Sequence, residues 1–347
     1  MRKNLFINHL CIRERIFLSF FSGRPIYIEN IRSNSKKRGL RDFELDLFSL
    51  IDKLSNNCFI QINESGTHLK FTPGHLNEGN FFHNTIGTRS LSYYLEFLIY
   101  LLPSIQKKIN IKLLGIRSLK SEISLEVFSY VNFALFRKIG AHNIRLRILT
   151  NSNSRTKNTE VILFCPKIYS LKPFQFNRRG DILGLQIIFT TSSTSSLNFE
   201  NLSTILPKKI MNTYLNFKIH NFKIFNNKVN FRTITIIAET STGCILSGDY
   251  TMTGKNLKFN QWVELYRQVF FEFFENLTSG CCVDNVNQIF FLVNLINAGS
   301  NQISEIKIKK LTLSTIYFLR ECKFILGPIF KIRFLKHSKQ IIIQKKI

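Results

Sequence analysis

Residues 28–47 of the chain read IENIRSNSKKRGLRDFELDL. The run Pro25–Ile31 has the short apolar character of a strand. Leu40, Phe43, Leu47, Leu50 and Ile51 then follow at helical spacing, which predicts a helix over Leu40–Leu54. Cys58–Asn63 alternates with period two, SGTH (65–68) reads as a turn, and Leu69–Phe71 reads as a short strand. A second helix is predicted over Thr88–Leu102, on Leu91, Tyr94, Leu95, Leu98 and Leu102, with Pro103 to stop it. Asn110–Gly115 reads as a strand and Leu125–Ile139 as a helix, with Gly140 suited to its C-terminal cap. Asn143–Thr150 and Thr159–Phe164 alternate again. Strand, helix, strand, strand, helix and then a unit of the same kind predict a mixed α/β architecture with an internal repeat.

The character changes near residue 180. TTSSTSS (190–196) reads as a polar surface loop. Phe231–Glu239 and Cys244–Ser247 read as two strands joined by a turn at TSTG (240–243). Gln261–Leu277 reads as an aromatic-rich helix and 283–296 as an apolar one. Glu305–Ile308 is predicted as a strand, 312–325 as a helix and Ile329–Leu335 as the last strand.

Charge sharpens this picture. The 347 residues carry 48 Lys and Arg against 22 Asp and Glu, a formal charge of +26, which points to a polyanionic partner and first to nucleic acid. An AT-rich coding sequence enriches Phe, Asn, Ile and Lys, so part of the excess reflects codon composition. The shortage of acids and the many Arg do not follow from that bias. An apolar content of 44% suits a folded chain. No apolar run reaches the roughly 18 residues of a membrane span. Arg13, Glu14 and Arg15 break the N-terminal apolar run, so no signal peptide is expected. The seven cysteines (11, 58, 165, 244, 281, 282 and 322) form no CxxC and read as reduced packing thiols in an intracellular compartment.

Phosphate-loop, dinucleotide, zinc-protease and nucleophile-elbow motifs are all absent. His68, His75 and His83 lack the close spacing of metal ligands, so no metal is expected there. The strongest local signal is the basic loop 32–41. Arg32, Lys36, Lys37, Arg38 and Arg41 sit beside a helix start, where side-chain charge and helix amides both suit phosphate oxygens. Arg178-Arg179-Gly180 is a weaker cluster, and Lys336, Lys339, Lys345 and Lys346 read as a solvated tail.

Across these segments the chain resembles the RNA 3'-terminal phosphate cyclase-like proteins. NHLCIRERIFLSFFSGRPIYIENIRS is similar to their opening, through His9, Arg13, Arg15, Ser19, Ser22, Gly23, Pro25, Ile31 and Arg32. The run 38–79, ending in FTPGHLNEG, and then CPKIYSLKP, IIAETSTGCILSGD, SGCCVDNVNQIFFLVNL and ILGPIFKIR resemble further family elements in the same order. Asn80 stands where the family has glycine, and Asn230-Phe231-Arg232 replaces a glycine-rich lead into the hairpin.

The resemblance implies an α+β fold of repeated βαβαββ units over 1–180 and 279–347, with a smaller α/β domain inserted over 181–278. True cyclases use ATP, an adenylated histidine and a glycine-rich opening. The corresponding stretch EIKIKKLTLSTIYFLREC (305–322) holds no histidine, and NHLCIRE replaces the glycine loop. The resemblance therefore implies the non-cyclase, ribosome-assembly branch, with no cofactor. That branch acts in the nucleolus, in the small-subunit processome, with pre-rRNA and a large ribosome-assembly GTPase as partners, and supports early pre-rRNA cleavage. An endonuclease of pre-rRNA is the alternative. Asp284, Arg320, Glu321 and Lys323 are candidate groups for it, although no paired-carboxylate signature emerges. Asp284 reads rather as a residue that caps or packs a helix, and Arg320 and Glu321 as a solvated helix face. A cyclase with another nucleophile is a third reading. Arg13 and Arg15, in the segment replacing the glycine loop, are expected to line one anion pocket with Arg32, Lys36, Lys37, Arg38 and Arg41.

Overall fold

A computed structural model describes residues 4–7, 10–120, 122–149, 159–191, 217–223, 231–253 and 259–346. The first unit runs β1 (Asn4–Ile7), α1 (Ile12–Ser22), β2 (Ile26–Glu29), α2 (Asp42–Leu54), β3 (Ser55–Asn56), β4 (Phe59–Ile62), β5 (Leu69–Thr72) and β6 (His75–Leu76). Its sheet has the order β1-β2-β5-β4, while β3 and β6 pair separately. The second runs β7 (Gly79–Asn84), α3 (Leu91–Leu101), β8 (Ile109–Gly115), α4 (Leu125–Val127), a π-turn (Phe128–Asn132), α5 (Phe133–Lys138), β9 (Arg145–Leu149) and β10 (Thr159–Cys165). Its order is β7-β8-β10-β9. In each sheet the first two strands are parallel and the other pairings antiparallel.

A third unit repeats the pattern but is interrupted after its first strand, β11 (Gln175–Phe176). The intervening residues form β12 (Ile182–Thr191), β13 (Phe217–Lys223), β14 (Phe231–Thr240), β15 (Ile245–Thr253) and α6 (Phe259–Thr278), with a sheet of their own in the order β13-β12-β14-β15. The unit resumes with α7 (Gln288–Asn297), β16 (Glu305–Ile308), α8 (Leu313–Leu326), β17 (Phe330–Leu335) and β18 (Gln340–Lys345), in the sheet order β11-β16-β18-β17.

The sequence reading ends the chain's structure at Leu335. The structure corrects this, because β18 lies between β16 and β17. Ile341-Ile342-Ile343 supplies its apolar side chains, with Ile343 fully buried. Lys345, read as part of a solvated tail, donates to the carbonyl oxygens of Ile296 (3.0 Å) and Ala298, and burial lowers its pKa. Thr190 and Thr191, read as loop, close β12 and are buried, as β-branched residues on a packed sheet can be. Residues 192–196 of the same stretch lie outside the described residues.

The core follows from the sheets. Each buries one face against helices, and α3 (LSYYLEFLIYL) and α7 (QIFFLVNLIN) are apolar on nearly every side. Such helices must be covered all round. α1 packs on α3 and α8, and α7 packs on α3 and α8, so the helices form a common centre with one continuous apolar cluster through all three units. The β12–β15 sheet has a second cluster, in which Tyr266, Val269, Phe270, Phe273 and Leu277 of α6 cover Leu185, Ile187, Ile234 and Ile236. Its other face sends Ile188, Ile237 and Ile245 into the common core.

Buried polar contacts accompany that junction. Asp249 of β15 accepts from the Ser124 backbone N–H at 2.7 Å and from the Thr235 hydroxyl at 2.8 Å. Glu126 pairs with Arg117 at 2.5 Å and accepts from the Thr190 hydroxyl at 2.8 Å. Burial pushes the Asp249 carboxyl up to about 7, against the pull of its two donors and with the help of nearby Glu126. A carboxyl raised on folding binds its proton more tightly in the native state. Its contribution to stability is therefore complete below the ordinary carboxylate range and is lost as pH rises through about 7. Denaturant unfolding should show this as a fall in stability from pH 5 to pH 8. Asp249→Asn should flatten that fall, and an unchanged pH slope in the variant would count against this assignment.

Candidate functional site

The basic loop is held at its base by the backbone. Ile31 donates to the Thr67 carbonyl, Gly39 to that of Ile31 and Leu40 to that of Gly66, each at 3.0 Å. Gly39 has φ +76°, and a Cβ there would sit 2.3 Å from the Ser65 carbonyl oxygen, so only glycine lets the loop approach that turn. Helix α2 starts at Asp42, two residues later than the spacing suggests, because Arg41 is the extended N-cap. Glu44, at the third helical position, accepts the Arg41 backbone N–H at 2.7 Å. It also takes both ends of the Arg32 guanidinium, at 2.7 Å each. Arg32 has φ 47°, a left-handed conformation that aims its side chain back across the loop. Arg32 is therefore the staple of the loop, while Lys36, Lys37 and Arg38 are exposed at its tip and Arg41 is half-buried.

Arg13 and Arg15 leave α1 toward different partners. Arg13 bonds Glu96 of α3 at 2.6 Å and lies 4.5 Å from the centre of the Tyr93 ring. Arg15 bonds Glu321 of α8 at 2.7 and 3.1 Å and lies over the Phe6 ring, and its side chain is only 4% exposed. The structure thus gives Arg13, Arg15 and Arg32 carboxylates of their own. The three do not converge on one pocket with the loop tip.

Arg13 does line a cavity of about 410 Å³, with Glu14, Arg89, Glu96, Glu122, Asn285, Thr312, Ser314 and Thr315 among its walls. Lys36, Lys37 and Arg38 are not among its lining residues. Arg89 bonds Glu122 at 2.8 Å and stacks on Phe43, which meets Tyr93 edge to face. Two guanidiniums thus face three carboxylates. Burial pushes the Glu14 carboxyl above its ordinary range, and Glu96 adds to that against Arg13. The start of α8 forms one wall. Thr312 accepts the Thr315 N–H at 3.2 Å, while Gln288 accepts the Thr312 N–H at 3.1 Å and the Thr315 hydroxyl at 2.7 Å. This wall presents hydroxyls, no imidazole, and two amides already satisfied within the chain.

The groups considered for RNA cleavage are not assembled either. Asp284 is buried and accepts from the backbone and side chains of Ser247 and Asn287 at 2.6–3.1 Å; Asn287 is the N-cap of α7, so Asp284 packs ahead of that helix rather than capping it. Glu321, expected on a solvated face, is instead the partner of Arg15, while Arg320 and Lys323 are exposed. Among the described residues no group of His, Cys, Asp and Glu could hold a metal ion, and no helix is long and apolar enough to cross a membrane. All seven cysteines are free, five of them buried.

Sequence spacing gave no sign of the Asp46–His83–Tyr94 network. Asp46 meets His83 Nε2 at 3.1 Å and accepts the Tyr94 hydroxyl at 2.6 Å and the Ile86 N–H at 3.1 Å. Burial works to raise the Asp46 carboxyl, but these hydrogen bonds outweigh it and leave it below its ordinary value. The network joins α2, β7 and α3, and its members lie 37 and 48 residues from Asp46.

Three βαβαββ units, the third opened by an α/β insertion, define a repeat-built α+β protein with a cavity at the head of its last helix. The chain belongs to the RNA 3'-terminal phosphate cyclase family, whose model matches residues 8–332. It is 29% identical over 328 residues to the RNA 3'-terminal phosphate cyclase-like protein of Mus musculus, covering 92% of this chain and 87% of the relative. It is 28% identical over 347 residues to a probable RNA 3'-terminal phosphate cyclase-like protein of Dictyostelium discoideum, covering 95% and 93%. It is 23% identical over 322 residues to the rRNA processing protein rcl1 of Schizosaccharomyces pombe, covering 90% and 87%.

Two outcomes follow from this geometry. Glu321→Ala removes the carboxylate from a buried ion pair and should cost about 3–5 kcal/mol in denaturant unfolding, whereas Arg15→Met with Glu321→Leu should recover most of that loss. If the loop tip holds RNA phosphates, replacing Lys36, Lys37 and Arg38 together by Glu should leave the melting temperature unchanged but weaken RNA binding at low salt. The salt slope should fall by roughly 2 if three phosphates lose their partners. Unchanged affinity would make the tip merely solvated.

Proposed function

We propose that this chain is a ribosome-assembly factor of the cyclase-like branch. It binds pre-rRNA and a large assembly GTPase within the small-subunit processome of the nucleolus, and it supports early cleavage of the pre-rRNA without cyclase activity. The observation that carries the reading is the cavity at α8. A cyclase needs a nucleophilic imidazole there and cations available to nucleotide phosphates. Here the wall offers Thr312, Ser314 and Thr315, and Arg13 and Arg89 bond Glu96 and Glu122. The printed name of the fission-yeast relative, an rRNA processing protein, supports the same direction.

In this proposal the phosphate contacts fall to Lys36, Lys37, Arg38 and Arg41, with Arg32 shaping the loop and Arg13 and Arg15 shaping the body. The proposed division of the chain is a body of 1–180 and 279–347 with an inserted domain of 181–278. The groups considered for endonuclease activity, Asp284, Arg320, Glu321 and Lys323, are not brought together, and cleavage stands as the outcome that would displace the scaffold reading.

One experiment separates the readings. Purified protein is incubated with a labelled pre-rRNA fragment spanning the early cleavage sites, with and without magnesium, beside a lane of α-labelled ATP. The expected result is salt-dependent binding with no cleavage and no covalent nucleotide. Site-specific cleavage that copurifies with the protein would replace the scaffold by a nuclease, and covalent labelling would restore a cyclase.

A further inference from the structure

The solvent-facing side of the second sheet carries a pattern that the cavity and the basic loop do not use. Strand register places Phe82, Lys112, Ile162 and Arg147 side by side across β7, β8, β10 and β9. The adjoining row on that face ends in Phe164 and Arg145. The alternate positions, Ile111, Leu113, Val161 and Leu163, are buried against the helices, so these rows must point outward.

Phe82 is 53% exposed, far more than an isolated core-forming ring requires. Phe164 is half-buried, with the Lys108 ammonium 5.8 Å from its ring centre. Arg145 and Arg147 are exposed on the edge strand. Glu160 is the acid on this face, and Lys112 pairs with it at 2.8 Å. Four cations thus surround two aromatic rings against one carboxylate. The third sheet offers an internal comparison, because its outward positions on β16, β18 and β17 hold Lys307, Ile342 and Arg333 beside Glu305, Gln344 and Lys331, with no aromatic residue.

We infer that this open face of the second sheet is a binding platform for single-stranded RNA. Phe82 and Phe164 supply stacking surfaces for unpaired bases, and Arg145, Arg147 and Lys108 hold the phosphates that run between them. The two rings stand two strand spacings and one row apart, roughly 12 Å, so they engage separate bases. A flat sheet with outward rings suits unpaired bases, because a duplex keeps its base faces stacked inside. The inference rests on the proposed RNA binding and adds, beside the phosphate contacts of the loop tip, a surface for unpaired bases.

The test uses the full-length chain and a fluorescent 12-nucleotide oligouridine, titrated at low salt and then over a salt series. Phe82→Ala should weaken binding roughly five- to hundredfold, the range of a lost base–aromatic stack, with the salt slope unchanged. Arg145→Gln with Arg147→Gln should lower the slope by about 1.4, as two lost phosphate contacts on a single strand require. Lys331→Ala, on the third sheet, should leave both readouts unchanged. Thermal melting confirms that each variant is folded, which the exposure of all these side chains favours. If wild type binds RNA and Phe82→Ala binds equally well, the platform is overturned while RNA binding stands. If an RNA duplex binds as tightly and is weakened equally by Phe82→Ala, stacking is overturned. If wild type binds no RNA even at low salt, both the platform and the proposed function fail. Loss of binding to an acidic polypeptide in place of RNA would assign the face to a protein and overturn the inference.

Discussion

Three sheets with one apolar face apiece must share a single set of helices, and this constraint governs the whole body. A helix serving one sheet needs only a stripe of apolar residues. Helices serving several need to be apolar around their circumference, and α3 and α7 are. Their composition leaves little room for charge at the centre. Where charge does enter, it is neutralised locally, and Arg15 with Glu321 is the clearest case. That pair ties the first helix of the first unit to the second helix of the third, across 306 residues of sequence, and closes the repeats into one body.

The same economy explains why so basic a chain has so quiet a cavity. Arg13, Arg89 and Arg117 each find a carboxylate within 3 Å, and Arg32 finds two oxygens of one. Guanidinium is the cation that tolerates such burial, through its fork geometry and weak hydration. Lysine serves differently here. Lys36, Lys37 and Lys108 stay at the surface, where the net charge is expressed. Among the described residues these lysines put positive charge on the exterior, and counting cations along the sequence does not locate it.

Most elements of the body were legible because their apolar spacing is regular. Glu305–Ile308 was placed to the residue, and α2, α3, α6 and α8 to within three. What was not legible has particular causes. β18 was hidden because three isoleucines flanked by lysines look like a basic tail until a sheet closes around them. The start of α7 was placed too early because Val283 and Val286 continue the apolar run while Asp284 holds the backbone out of the helix. In the candidate site, spacing located the loop and its cations but not their partners. Glu44 lies 12 residues from Arg32, Glu96 lies 83 from Arg13, and only the fold brings them together. The family resemblance carried the absence of a histidine from 305–322, which periodicity alone gives no reason to notice.

The interruption of the third unit has a consequence for how the chain is made. The first two sheets can close as soon as residues 72 and 165 have emerged from the ribosome. The third cannot, because β11 waits through the residues of β12–α6 for its first partner, β16, and β18, one of the two inner strands of its sheet, follows all the others in the chain. Until then the apolar sides of α1 and α3 that will receive α7 and α8 have no cover. The nascent body therefore lacks its third unit while the residues between β10 and β18 are made, and exposed apolar surface makes that interval the one most open to aggregation.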